Sequence, residues 1–183
     1  MFIMDGAFVF AWNSFSPKLA ADVFVARGAQ LMGQLEIGAQ SNIWFNTVLR
    51  GDVNYIRIGE RTNIQDNTTV HVDSRKYPTI VGDDVTIGHN AIIHACTIGD
   101  RALIGMGSVI LDGAVILEDT MVAAGTLIPP GKTYPSKTLV VGRPGKVARA
   151  LDTHELAWLK GSAAHYVKLS QTYFPLCRRG EIS

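Results

Sequence analysis

An apolar residue recurs every six positions along most of this chain, a period that matches neither an α-helix nor one extended strand. The series runs Leu19, Val25, Leu31, Ile37, Ile43 and Leu49, then after three extra residues Ile58, Ile64 and Val70. Beyond a longer insertion it resumes at Val81, Ile87 and Ile93 and, one residue short, at Ile98, Ile104, Ile110, Ile116 and Val122. Four residues after each of these stands a small or β-branched residue, such as Ser41, Thr47, Thr62 or Thr68, with Leu35 the exception. Glycine often follows the aliphatic directly, as at Gly38, Gly59, Gly82 and Gly99. Two inward positions per hexad with turn-permissive residues between them describe short strands joined by tight corners and stacked into a solenoid.

This pattern resembles the hexapeptide-repeat superfamily. The resemblance implies a mainly β, left-handed parallel β-helix, and three hexads per triangular coil give about six coils. The hand is implied by the resemblance alone, since ordinary β-crossovers are right-handed. Residues 1–18 read as an N-terminal cap, 19–147 as the β-helix, 148–174 as a C-terminal α-helix and 175–183 as a frayed tail. The repeat is expected to stop at Ile128-Pro129-Pro130-Gly131, with LVVGRPGKVAR turning out of the coil. Asp152 and Glu155 stand at capping-box spacing before a helix from Thr153 to Phe174, whose apolar stripe is Leu156, Leu159, Ala163, Tyr166, Val167 and Tyr173.

A net charge of +1 offers no field for nucleic acid or an anionic membrane surface. The apolar start MFIMDGAFVFAWNSF lacks a basic leader and is too short to span a bilayer. Cys96 and Cys177 lie far apart with no paired motif, as expected of reduced thiols in a cytoplasmic protein.

Three of the five histidines fall between His71 and His94. If Arg75 to Ile80 leaves the coil without using a face, the hexads at Val70 and Ile93 lie one full turn apart. His71 then sits under His94, both in the position after the aliphatic. Rungs about 4.8 Å apart let two such imidazoles converge on one ion at about 2.0–2.1 Å per nitrogen. His89 belongs to the preceding face and points elsewhere, so it does not easily complete the same sphere, and a neighbouring copy could supply it. That geometry predicts a cyclic homotrimer with a metal at each seam, bound by His71, His89 and His94. The alternative is a polar ladder or trimer seam without metal. Three imidazoles with an open fourth position suit Zn2+, and also Fe2+ or Co2+.

Other polar residues intrude on the same positions. Arg50 stacks beneath His71 if residues 55–57 bulge out, and Gln65 takes the equivalent place on the face of His89. Gln65 and Asn63 suit the task of orienting a metal-bound hydroxide. Arg50, Asp52 and Asp66 suit an ion-pair network across the seam.

The motifs LRGD, IGERTNIQD, VH, IGHNAIIHACTIGDRALIGMGSVILDGAVI and GRPGKVAR together resemble the γ-class carbonic anhydrase-like proteins, from about Leu19 to Tyr173. The resemblance implies a homotrimer with His71 and His94 from one subunit and His89 from the next. It further implies Arg50 and Asp52 as an intersubunit ion pair, and Gln65 and Asn63 near the bound water. The implied reaction is reversible hydration of CO2 to bicarbonate by a metal-bound hydroxide. Tyr166 in AHYVK resembles a helix tyrosine that approaches the site in some relatives. Two departures stand out. Val53 follows Asp52 where the active archetype carries an acid, and DSRKYPT is short and basic where that enzyme carries a longer acidic, proton-shuttling loop, with Asp73 as the available substitute. The rival readings are an acyl-CoA-linked transferase or thioesterase, and a non-catalytic trimeric metal-binding scaffold.

Overall fold

The computed structural model describes residues 1–179. Its β-strands stack in parallel on three faces, and each turn of the chain visits the faces in order. The first face holds eight parallel strands, from Phe2–Met4 through Phe24–Val25, Asn42–Ile43, Asn63–Ile64, Thr86–Ile87, Leu103–Ile104 and Met121–Val122 to Thr138–Gly142. The second face includes Phe8–Phe10, Thr69–His71, Ile92–His94, Val109–Ile110 and Leu127–Ile128. The third includes Lys18–Leu19, Thr79–Val81, Thr97–Ile98, Val115–Ile116 and Thr133–Tyr134.

The hexad explains each rung. Its aliphatic points inward, so Ile43, Ile64, Ile87 and Ile104 are stacked in register and fully buried. Each such side chain contributes about 1.5–3 kcal/mol on burial. The small residue four places on lies inside the corner, where Ser41, Thr47, Thr62 and Thr68 each donate a hydroxyl hydrogen bond to a carbonyl one coil further along. Corner residues with positive φ include Asn46, Asn67, Asp84 and Asn90, types that tolerate the left-handed region better than β-branched residues do.

Eight rungs exceed the six coils expected, because the repeat runs on at both ends. Past Ile128, Tyr134 and Val140 continue the six-residue series, buried in parallel register with Ile116 and Val122. An aromatic in the aliphatic place hid this extension, and the Tyr134 hydroxyl escapes the core by donating to the Gly145 carbonyl at 2.8 Å. GRPG then turns a hairpin that pairs Gly145–Ala150 antiparallel to Thr138–Gly142. At the other end, Phe2–Met4 and Phe8–Phe10 are rungs parallel to the strands that follow them.

Two insertions fall elsewhere than expected. The three extra residues after Leu49 lie between Gly51 and Ile56, not at 55–57: Gly33 pairs with Gly51 and Leu35 with Ile56, so four residues oppose one. Gly33, at φ +80°, lets the backbone turn this corner, and a Cβ there would lie 2.2 Å from the Gly51 carbonyl oxygen. The second insertion ends before Thr79, since Ile80 is paired on both sides, with Arg57 and Thr97.

The C-terminal helix α1, Thr153–Tyr173, begins with the expected capping box of Asp152 and Glu155 and packs along the first face. Leu159 and Ala163 are buried as expected; Ser170 is buried as well, and Ser162 bonds Thr86 at 3.0 Å. Cys177–Arg179 pairs antiparallel to Phe2–Met4, so this part of the expected tail is ordered; Gly180 to Ser183 lie outside the described residues. Among the described residues no helix is long and apolar enough to cross a membrane.

Candidate metal centre

Parallel register places His71 directly against His94 on the outer surface of the second face. The inward positions beside them are Val70 and Ile93, both fully buried, so alternation turns the two imidazoles outward. His71 Nδ1 and His94 Nε2 are 3.2 Å apart.

The partners of the remaining ring nitrogens assign the tautomers. His71 Nε2 lies 3.0 Å from Asp52 Oδ1, and His94 Nδ1 lies 2.5 Å from Asp112 Oδ1. A carboxylate accepts, so each neutral ring donates its N–H to its carboxylate and leaves the facing nitrogen with a lone pair. Arg50 Nη2, a donor only, lies 3.4 Å from His71 Nδ1, which agrees with that assignment. Two nitrogens of a tetrahedral zinc sphere, each about 2.0–2.1 Å from the ion, lie about 3.3 Å apart. The donor set therefore fits a zinc-sized divalent ion: two lone pairs converge with no proton between them, each ring oriented by a carboxylate behind it.

Electrostatics support a neutral ring at His71. Burial pushes its pKa below the usual histidine range and Arg50 adds to this, against the opposing pull of Asp52. Asp52 itself is held low: burial works to raise it, but hydrogen bonds from His71 and Arg50 outweigh that effect. Arg50 and Asp52 thus meet within one chain.

A second group lies at the edge between the first face and α1. Within the chain, His89 Nδ1 is 2.7 Å from Asp66 Oδ2. Gln65 is buried and donates through Nε2 to Asn63 Oδ1 at 3.1 Å, while Asn63 Nδ2 donates to Thr86 Oγ1 at 2.9 Å. This relay points the Gln65 amide and leaves its oxygen to accept. Tyr166 stands edge-on to Trp44 and, with Gln65, His89 and Trp158, borders a largely apolar groove of about 380 Å³. Burial, followed by Asp66, pushes the Tyr166 phenol up. One chain therefore carries two groups, with Arg50, Asp52, His71 and His94 on one face and Asn63, Gln65, Asp66, His89 and Tyr166 at another edge. Among the described residues, no three His, Cys, Asp or Glu side chains gather to hold an ion.

Asp112 is the residue that sequence reasoning missed. Hexad counting puts Leu111 beside His94, because Ile93 pairs with Ile110. The shortened corner after His94, with Ala95 at φ +51°, brings the next residue within reach instead. The available signal was an Asp-Gly pair one turn after a hexad that is one residue short.

Six-residue rungs stacked on three faces, with paired histidines on the outside of one of them, define a hexapeptide-repeat β-helix. The family description "Bacterial transferase hexapeptide (six repeats)" matches residues 78–110 and 95–130. Gamma carbonic anhydrase 2, mitochondrial, of Arabidopsis thaliana is 45% identical over 163 residues, covering 86% of this chain; the chain spans 59% of that protein's length. The carbonic anhydrase of Geobacillus kaustophilus is 44% identical over 165 residues, covering 90% of each chain. The crystal structure of a hexapeptide transferase family protein from Anaplasma phagocytophilum superposes with a TM-score of 0.88 at 44% identity, covering 93% of this chain and 99% of that one. This chain belongs to the γ carbonic anhydrase-like family of hexapeptide-repeat proteins.

Proposed function

We propose that this protein hydrates CO2 reversibly to bicarbonate, at a zinc site that is split between the subunits of a homotrimer. The observation that carries the reading is the 3.2 Å approach of His71 Nδ1 to His94 Nε2, each nitrogen lying opposite a carboxylate-bound one. Two ligands are too few for a structural or catalytic zinc. The third is His89 of the partner subunit, because the chain's own His89 belongs to the other group. Fe2+ and Co2+ suit the same donors.

A bound divalent ion would supply Lewis acidity that lowers the pKa of water to about 7 and so provides a nucleophile for CO2 at neutral pH. The chain's residues do the rest. Gln65, held by Asn63 and Thr86, presents an acceptor that orients the attacking water. Tyr166, Trp158 and the small apolar residues of the groove keep bulk water from the reacting carbon. Proton export is the weak step. Val53 is half exposed and brings no acid, and the Asp73 carboxylate accepts the backbone N–H groups of Arg75 and Lys76, which hold its pKa low and make it a poor proton acceptor.

The apolar groove beside His89 favours one second reading, acyl transfer or thioester hydrolysis. The test is metal analysis of the purified protein followed by stopped-flow CO2 hydration, with zinc and with ferrous iron loaded anaerobically. Metal uptake and hydration above the His71→Ala background support the proposal. Uptake with no hydration above that background leaves a metal-binding scaffold or the acyl reading, and thioester turnover decides between those two. No uptake ends the metal reading.

A further inference from the structure

We infer that Asp112 is a positioning residue for the metal site, holding His94 in the Nδ1–H tautomer and setting its ring angle so that Nε2 faces the ion. The inference rests on the metal reading above only for its effect on affinity; the tautomer claim stands on the unloaded chain.

Acidic residues recur at the corners of this solenoid, and most have an evident structural task. Asp22 accepts the backbone N–H of Gln40, Asp83 that of Glu60 and Asp100 that of Asp83, each tying its coil to the next. Asp112 differs. The difference lies in its carboxylate, because its corner is tied through the backbone as those of Asp83 and Asp100 are: Gly113 N–H donates to Ala95 at 2.7 Å, Ala114 N–H to Leu111 at 3.0 Å, and Gly131 N–H to the Asp112 carbonyl at 2.8 Å. Tyr77, from the loop that follows His71, covers Gly113 so closely that a Cβ there would lie 2.8 Å from the Tyr77 ring. With the backbone anchored on each side, the carboxylate takes no backbone N–H among the described residues and lies 2.5 Å from His94 Nδ1.

An imidazole in water carries its proton mainly on Nε2, the wrong nitrogen for a ligand that must offer Nε2 to a metal. An acceptor fixed at Nδ1 reverses the preference and limits rotation about the Cβ–Cγ bond, which is how carboxylates behind ligating histidines raise affinity. His71 receives the same service from Asp52 in the opposite sense, with Nε2 held and Nδ1 turned to His94 Nε2 and Arg50 Nη2. The two carboxylates together orient the lone pairs towards each other.

The test uses the full-length protein stripped of metal and labelled with 15N, at a pH where the imidazoles are neutral. Long-range proton–nitrogen correlation spectra identify the His94 tautomer. Wild type is expected to show Nδ1–H; Asp112→Ala is expected to revert to Nε2–H; and Asp112→Asn, whose amide oxygen still accepts, is expected to keep Nδ1–H. Zinc competition against a chelator is expected to show about 10–100-fold weaker binding for Asp112→Ala, with Asp112→Asn between the two. Asp100→Ala serves as the control for a corner acid with a structural task, and its zinc affinity should match wild type. An unchanged His94 tautomer in Asp112→Ala overturns the inference, as does zinc binding within twofold of wild type. If wild type takes up no zinc, the metal reading fails while the tautomer comparison still decides the role of Asp112.

Discussion

His71 and His94 turn lone pairs towards each other across 3.2 Å while Asp52 and Asp112 hold the far edges of the two rings. Arg50 Nη2, 3.4 Å from His71 Nδ1, offsets the facing lone pairs within one chain; the proposed function puts a zinc ion between them and divides its ligands between two subunits.

Mixed oligomers test that division. His71→Ala and His89→Ala proteins should each be inactive alone. Co-expressed with different tags and purified through both, mixed trimers should regain activity, because about one site in three then pairs an intact His71–His94 face with an intact His89. No recovery would mean that the ligands come from one subunit.

Proton release should limit turnover. With Asp73 engaged in its own turn and Val53 unable to carry a proton, stopped-flow rates should rise with the concentration of imidazole buffer at constant pH and ionic strength. Val53→Glu should raise the rate at low buffer and lessen the buffer effect. A rate independent of buffer would point to an internal relay.

Gln65→Ala should leave zinc content intact and lower kcat by about 100-fold, in line with losing one aimed hydrogen-bond partner in a dry site. Loss of zinc together with activity would instead make Gln65 part of the site's scaffold.

Gly113→Ala should cost about 1–3 kcal/mol, since φ is +67° and the new Cβ meets the Tyr77 ring. Tyr77→Ala in the same chain should recover the steric part and leave the backbone part. Chemical denaturation of the two single variants and the double variant separates them.

At the helix start, Asp152→Ala should destabilise by about 1 kcal/mol through loss of the cap. Glu155 adds a pH signature: the Arg149 hydrogen bonds, then the Asp152 N–H, lower its pKa from 4.5 to about 2. A depressed folded-state pKa stabilises fully above 4.5 and is lost as pH falls towards 2. The melting temperatures of wild type and Glu155→Gln should therefore converge across that window.

The solenoid was legible because its period is strict: one buried aliphatic per six residues specifies both the rung and its register, and His71 against His94 followed by counting. Counting failed where the chain departs from aliphatic or from six. Tyr134 fills an aliphatic place with an aromatic whose hydroxyl finds a carbonyl, so the last coil went unseen. The bulge between Gly51 and Ile56 was counted correctly in length but misplaced, and the loop before Thr79 was carried too far along the chain, because insertions carry no periodic signal. Asp112 escaped because one missing residue after Ile93 shifts which side chain reaches His94, and a sequence shows the deletion without showing where the slack is taken up.

The first face begins and ends in strands that run against its grain, Cys177–Arg179 beside Phe2–Met4 and Gly145–Ala150 beside Thr138–Gly142. A stack of identical rungs has no natural length, and nothing in its repeat tells one molecule's last rung from another's first. A reversed strand at each limit removes the matching donor and acceptor row on this face, so the pile has a top and a bottom. Shortening the chain before Cys177 should uncover Phe2–Met4 and let two molecules join through that one bare edge, while Gly145–Ala150 at the other limit still keeps the pair from growing into a filament.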